Sequence, residues 1–247
     1  MRNVRNFQTA RVIFIITFAT FVLASAACGR LTFYRTKNNQ SMIETKKNVS
    51  TILYVALGDS TGAGVGAREG GYVARLFTRI NGEHTNARLI NLCVSGATTD
   101  DVLRGQLDAA IKAHPTLLTL GIGINDVTRG LSVEEFARNY ETIVARLKNE
   151  TNAPLVATNI PDIAHAPAVP AFARDELRRR IKLFNERIDE TIKRHGALVV
   201  DTYATTREVI GEHTEFFSSD GFHPSDAGYE YWAKIMWPTV KSEIDKR

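Results

Sequence analysis

Ile52-Leu53-Tyr54-Val55-Ala56-Leu57-Gly58-Asp59-Ser60-Thr61 is an apolar run that ends in a small, polar turn. A short apolar run bounded by glycine reads as a strand buried on both faces. Gly58, Gly62, Gly64 and Gly66 around its end permit a tight turn with positive φ. The strand therefore delivers one hydroxyl, that of Ser60, into a glycine-rich loop.

Outward from this stretch, short apolar runs alternate with longer amphipathic ones. Candidate strands lie at 52–57, 88–92, 116–120, 155–159 and 197–200. Between them, Phe136, Tyr140, Ile143, Val144 and Leu147 recur at spacings of three and four, after Ser132-x-x-Glu135 in the form of a capping box. Residues 101–113 carry Leu103, Leu107, Ala110 and Ile111 in the same way until His114-Pro115, and 176–195 carry Leu177, Ile181, Phe184, Ile188 and Ile192 until Gly196. A last helix is expected over 226–244, its Tyr229, Trp232, Ile235 and Met236 packing into the core. The alternation predicts an α/β domain with a five-stranded parallel sheet over 51–247. Residues 161–174, with Pro161, Pro167 and Pro170, read as a long loop, either a binding loop or a plain connection.

In open parallel sheets, functional groups gather where loops leave the C-terminal ends of the strands. Ser60 follows the first such end, and its N–H near a helix start is placed to donate to an oxyanion. The Gly-Lys-Ser/Thr ending of a phosphate-binding loop is absent. Gly96 follows the second strand and offers a turn N–H. Asn125, in Gly123-Ile124-Asn125-Asp126 after the third strand, offers a side-chain donor to an oxyanion, or serves as a turn residue. Near the C-terminus, Asp220-x-x-His223 allows the carboxylate to hold the imidazole Nδ1 so that Nε2 is free to take a serine proton, or is an ordinary turn.

Taken in order, these blocks resemble the SGNH hydrolases, the GDSL esterase and lipase superfamily, in its bacterial lysophospholipase and thioesterase-like branch. Gly58-Asp59-Ser60, Gly96, Asn125 in Gly-Ile-Asn-Asp, and Asp220-Gly221-Phe222-His223-Pro224 match its four blocks, over roughly 52–240. Thr61 departs from the leucine of the family name, which bears on substrate rather than mechanism. The resemblance implies a flavodoxin-like three-layer α/β/α sandwich. It implies an ester hydrolase with Ser60 as nucleophile, Asp220 and His223 as its partners, and Ser60, Gly96 and Asn125 as the oxyanion hole. The alternatives it leaves are a carbohydrate O-acetyl esterase, an acyl thioesterase, or a binding module that has lost catalysis. The expected substrate is accordingly a small-molecule, lipid or glycan ester.

The N-terminus reads as an address. Arg2, Arg5 and Arg11 precede an apolar run over 12–23 and the small residues Ala24-Ser25-Ala26, the form of an export signal over 1–27. The run from 12 to 27 is short of the roughly 20 residues of a spanning helix. Leu23-Ala24-Ser25-Ala26-Ala27-Cys28 resembles a lipoprotein signal with Cys28 as the lipidated residue, apart from Ser25 where an aliphatic residue is usual. Cleavage after Ala26 is the alternative. Residues 28–50 form a polar tether, so that the expected location is the cell envelope, with possible attachment through Cys28, or the exterior.

Charge supports no further partner. The chain carries a net charge of +4, but residues 1–27 hold three arginines and no acid, which leaves 28 basic against 27 acidic residues and argues against nucleic acid. His84, His114, His165, His195 and His213 lack metal-ligand spacing, so neither a metal nor a cofactor is expected. With Cys28 lipidated or removed, Cys93 has no disulfide partner and reads as a small buried residue of the second strand. No oligomeric state is implied.

Overall fold

The five apolar runs form strands β1 (Leu53–Gly58), β2 (Arg88–Asn91), β3 (Leu117–Gly121), β4 (Leu155–Thr158) and β5 (Leu198–Val200). All neighbours are parallel, in the order β2-β1-β3-β4-β5. A computed structural model describes residues 51–247. The expected export signal (1–27), the tether (28–50) and Cys28 lie outside the described residues.

Alternate strand residues feed two cores, as the period of two requires. Val55 and Leu57 of β1, Leu118 and Leu120 of β3, and Leu155 and Ala157 of β4 face one layer of helices. Tyr54, Ala56, Leu117 and Val156 face the other. Because both faces are covered, β1, β3 and β4 read as continuous apolar runs rather than alternating ones.

The first layer contains α3 (Thr99–Gly105), α4 (Leu107–Lys112), α6 (Val133–Glu150) and α7 (Arg174–Arg194). Phe136, Tyr140, Ile143, Val144 and Leu147 of α6 are fully buried there, with Ile181, Phe184 and Ile188 of α7. Each such side chain contributes roughly 1.5–3 kcal/mol through burial. The second layer contains α2 (Tyr72–Glu83) and α9 (Asp226–Asp245), joined by Tyr72 stacked on Trp232 with ring centroids 5.3 Å apart. The arrangement is a flavodoxin-like three-layer sandwich, and the strand order switches direction between β1 and β3. Short helices α1 (Ser60–Ala63) and α5 (Ile124–Thr128) leave the C-terminal ends of those two strands, and α8 (Thr202–Val209) follows β5.

Three local expectations change. The single helix over 101–113 is two: α3 starts earlier, at a capping box between Thr98 and Asp101, and breaks from α4 at Gln106. The buried Gln106 side chain turns inward at that break to bond Gly58, a demand that helical periodicity does not reveal. Cys93 lies beyond β2 and is half-buried, its sulfur against Gly58 and Gly62. Residues 161–173 are more than a surface connection, since Asp162, Ile163, Ala164, Ala166 and Val169 are buried in them. Arg178 Nε binds Asp162 at 3.0 Å and the Asp162 N–H donates to Thr206 Oγ1 at 3.0 Å, so a polar clasp anchors the start of the loop.

Candidate active site

The serine turn is built from glycine and from local capping. A Cβ on Gly58 would lie 2.4 Å from the carbonyl oxygen of Gly121, its register partner on β3, so only glycine allows the two strands to stay this close there. Its N–H and C=O pair with Gln106 Oε1 and Nε2, each at 2.8 Å, and the carbonyl also accepts the Val94 N–H at 3.1 Å. Asp59 then caps α1: its Oδ1 accepts the Thr61 N–H at 2.9 Å and the Thr61 hydroxyl at 2.8 Å. Gly64, with φ of 93°, ends the helix after one turn, and its N–H returns to the Ser60 carbonyl at 2.9 Å. The Thr61 hydroxyl thus supports the cap where the family name has leucine.

Ser60 is 4% exposed. Its Oγ lies 3.0 Å from Nε2 of His223, and His223 Nδ1 lies 2.6 Å from Asp220 Oδ2. The other oxygen of Asp220 accepts from the Ser218 hydroxyl at 2.8 Å, the Phe222 N–H at 2.8 Å and the His223 N–H at 2.9 Å. Partial burial works against the Asp220 charge. The bonds from His223, from the two backbone N–H groups and from Ser218 outweigh it and hold the carboxyl well below the ordinary carboxylate range. The turn is closed by the Ser218 N–H on the His223 carbonyl at 2.8 Å, and the Ala168 N–H donates to the Gly221 carbonyl at 3.0 Å. The proline-rich loop therefore braces the turn that carries His223.

Asp59 and Asp126 are shifted the other way. Burial pushes the Asp59 carboxyl up to about 6, against the lowering effect of its two bonds from Thr61. Burial also raises Asp126, which is 0% exposed and accepts the Thr99 N–H at 3.0 Å. The Cys93 thiol is raised far above its usual range, first by burial and then by the charge of Asp59, which makes it a poor nucleophile.

The other two donors expected at an oxyanion lie on the loop after β2 and on α5. Gly96 takes φ of 78°, and Asn125 is the second residue of α5. Among the described residues, neither the Ser60 nor the Gly96 N–H is spent on a backbone carbonyl. Asn125 donates one Nδ2 hydrogen to the Ala97 carbonyl at 2.9 Å, and an amide carries two. Ser60, Asp220 and His223 are thus joined directly, while Gly96 and Asn125 are tied to one another's neighbourhood through the loop at 96–97. Arg129, absent from the sequence expectations, donates to the Gly96 carbonyl at 2.7 Å, and Gln106 was equally invisible there.

Beside Ser60 and His223 opens a cavity of about 70 Å³. Ile122, Ile124, Ile160, Ile163, Val209, Ile210, Phe216, Phe217, Phe222, Trp232 and Ile235 line it, so its walls are largely aliphatic and aromatic. Asn185 clamps the wall residue Ile160 at both its N–H (2.8 Å) and its carbonyl (2.9 Å). His165 is exposed on the nearby loop. His84 meets Glu83 and Asp245 at the surface, where Lys241 already bonds both carboxylates.

A buried serine hydroxyl on an imidazole that is held by a carboxylate can be deprotonated as it attacks a carbonyl. Comparison with known proteins points the same way. Residues 56–231 match the family model described as the GDSL-like Lipase/Acylhydrolase family. The chain is 23% identical over 189 residues to Esterase TesA of Pseudomonas aeruginosa, spanning 76% of this chain and 87% of that one. It is 26% identical over 180 residues to the acetylxylan esterase of Geobacillus stearothermophilus, spanning 69% and 81%. The crystal structure of a lipase/acylhydrolase from Enterococcus faecalis superposes with a TM-score of 0.63 at 25% identity, covering 78% of this chain and 96% of that one.

Proposed function

The chain belongs to the GDSL-like lipase/acylhydrolase family, the SGNH hydrolases, and is an ester hydrolase; on that footing we propose that it cleaves carboxylic esters through an acyl intermediate on Ser60. The observation that carries this reading is the 3.0 Å approach of Ser60 Oγ to His223 Nε2, with Asp220 2.6 Å from Nδ1.

In the proposed mechanism His223 takes the Ser60 proton as the hydroxyl attacks the ester carbonyl, then gives it to the departing alkoxide. Asp220 holds the tautomer and the imidazolium that forms. The N–H groups of Ser60 and Gly96 and the second Nδ2 hydrogen of Asn125 receive the oxyanion. Water, deprotonated by His223, then attacks the acyl carbon and releases Ser60.

The apolar cavity supports a substrate whose acyl part is hydrophobic, because polar sugar hydroxyls would lose water there without partners. A second reading, removal of small acetyl groups from carbohydrate, is favoured by the similarity to an acetylxylan esterase. The apolar run over 12–23 and Cys28 support export of the enzyme and its attachment through a lipid, so that envelope esters would be its targets. Among the described residues no helix is long and apolar enough to cross a membrane.

The test is hydrolysis of p-nitrophenyl butyrate by the wild type, Ser60→Ala and His223→Ala. Both variants are expected to lose at least roughly a thousandfold in kcat, in line with loss of a nucleophile or its base. Variants as active as the wild type would overturn the acyl-serine reading.

A further inference from the structure

Two side chains of α5 and that of Arg129, which caps its C-terminus, grip the segment that follows β2. Arg129 Nη2 donates to the Gly96 carbonyl at 2.7 Å, and Asn125 Nδ2 donates to the Ala97 carbonyl at 2.9 Å. Asp126 accepts the Thr99 N–H at 3.0 Å and the Thr99 hydroxyl at 2.5 Å. Positions 125 and 129 are four apart at the end of one helical stretch, so their side chains fall on one side of it. Two consecutive carbonyls of the Gly96 turn therefore each receive a donor from α5 or its C-cap.

The two ends of this arrangement differ in exposure. Asp126 is fully buried and secures the base of α3, whereas Arg129 lies at the surface. A single bond from an exposed arginine adds little to global stability. Its position matters more than its contribution to folding. Gly96 has φ of 78°, which favours glycine, and a Cβ there would lie 3.1 Å from Arg129 Nη2, a tight contact. Glycine is also the residue least able to hold its own backbone in one conformation. An oxyanion donor works because it is already oriented before charge develops. A donor carried by glycine thus needs an external hold, and Arg129 supplies a charge-assisted one.

We propose that Arg129 is a positioning residue for acyl transfer: by holding the Gly96 carbonyl it keeps the left-handed turn that aims the Gly96 N–H at the developing oxyanion. The inference rests on the reading of Ser60, Gly96 and Asn125 given under Proposed function. Arg129 itself makes no contact with the reacting atoms in this scheme. Lysine at this position would carry the charge without the planar fork, and so hold the carbonyl less firmly.

The experiment uses the full chain and compares the wild type, Arg129→Met, Arg129→Lys, Arg129→Ala and Ser60→Ala on p-nitrophenyl butyrate, with thermal unfolding of each. Removal of an oxyanion donor costs about 100- to 1000-fold in kcat, so loosening one is expected to cost about 10- to 100-fold in Arg129→Met. KM should stay within about twofold and the unfolding midpoint within about 2 °C, because the side chain is exposed. Arg129→Lys should recover part of kcat, and millimolar guanidinium should recover part of it in Arg129→Ala. The proposal is overturned by a kcat within about twofold of wild type in Arg129→Met. A rise in KM at unchanged kcat would also overturn it and make Arg129 a substrate-binding group, as would a loss of kcat that merely follows a lowered unfolding midpoint. Ser60→Ala separates the two levels. If it is inert while Arg129→Met is unimpaired, the positioning role alone fails; if it is active, both readings fail.

Discussion

Gln106 and Gly58 form a closed pair: the amide of one side chain meets the N–H and the C=O of the other residue's backbone, both at 2.8 Å, two residues before the proposed nucleophile. The pair explains why the helix over 101–113 breaks, since Gln106 must leave the helical surface to reach the end of β1. It also locates a weak point whose disturbance would reach Ser60.

Replacing Gln106 by leucine would leave the buried Gly58 N–H without a partner, while the Gly58 carbonyl would keep the Val94 N–H at 3.1 Å. The cost is expected to be about 1–3 kcal/mol in unfolding free energy, measured by urea titration, because an orphaned buried donor costs about that much. A stability within about 0.5 kcal/mol of wild type would mean that water or backbone movement satisfies Gly58 instead.

Asp220→Asn tests the orienting carboxylate. Asparagine can keep its one oxygen for the Ser218, Phe222 and His223 donors but then presents its NH2 to His223 Nδ1, which favours the wrong tautomer. The kcat on p-nitrophenyl butyrate should fall by about 1000- to 10,000-fold with KM little changed. A loss below tenfold would show that the imidazole is oriented by other groups.

Asp59 gives a pH-dependent prediction. Its carboxyl is raised by burial to about 6, so the folded chain binds a proton that the unfolded chain has released between the ordinary value and about 6. The stability due to this proton is fully present below the ordinary carboxylate range and is lost as pH rises through about 6. Asp59→Asn, which preserves an acceptor for Thr61, carries no such term. Its unfolding free energy relative to wild type should rise between pH 4 and pH 6.5 by on the order of 3 kcal/mol at most, then level off. A difference that is flat across this range would contradict the raised carboxyl.

The cavity predicts the acyl profile. Wild type should hydrolyse octanoate esters with a kcat/KM at least about tenfold above acetate esters, since each buried methylene is worth roughly 0.8 kcal/mol before losses. Val209→Trp, which fills part of the wall, should lower octanoate turnover while leaving acetate hydrolysis within about threefold. A wild-type preference for acetate would instead favour the carbohydrate deacetylase reading.

Expression of the full chain in a bacterium fed a labelled fatty acid tests the N-terminus. Label should be incorporated by the wild type and lost in Cys28→Ala. Soluble, unlabelled wild-type protein cleaved after Ala26 would point to ordinary export.

Much of the site was readable in advance, for a local reason. The run at 52–57 followed by Gly58-Asp59-Ser60 encodes a strand and a turn within ten residues, and Asp220-x-x-His223 encodes a carboxylate and an imidazole across one turn. Their structural counterparts are β1 with the α1 cap, and the 2.6 Å contact of His223 with Asp220. By contrast α2, with Tyr72, Val73, Leu76 and Ile80 buried on one face, is absent from the sequence expectations. Cys93, expected in the second strand, lies beyond it: β2 ends at Asn91, whose side chain turns to the Gly62 carbonyl at 2.9 Å.

By itself the sequence determined the alternation of strands and helices, the glycine turn at Ser60 and the order of the four blocks. These depend on side-chain period and on the steric freedom of glycine, both properties of neighbours in the chain. Only the tertiary structure decided that Gln106 holds Gly58, that Arg129 holds Gly96, and that loop 161–173 braces the His223 turn and walls an apolar cavity. Those contacts join segments brought together by the two cores, and a hydrogen bond acts only over about 3 Å, so which groups meet follows from packing and not from spacing along the chain.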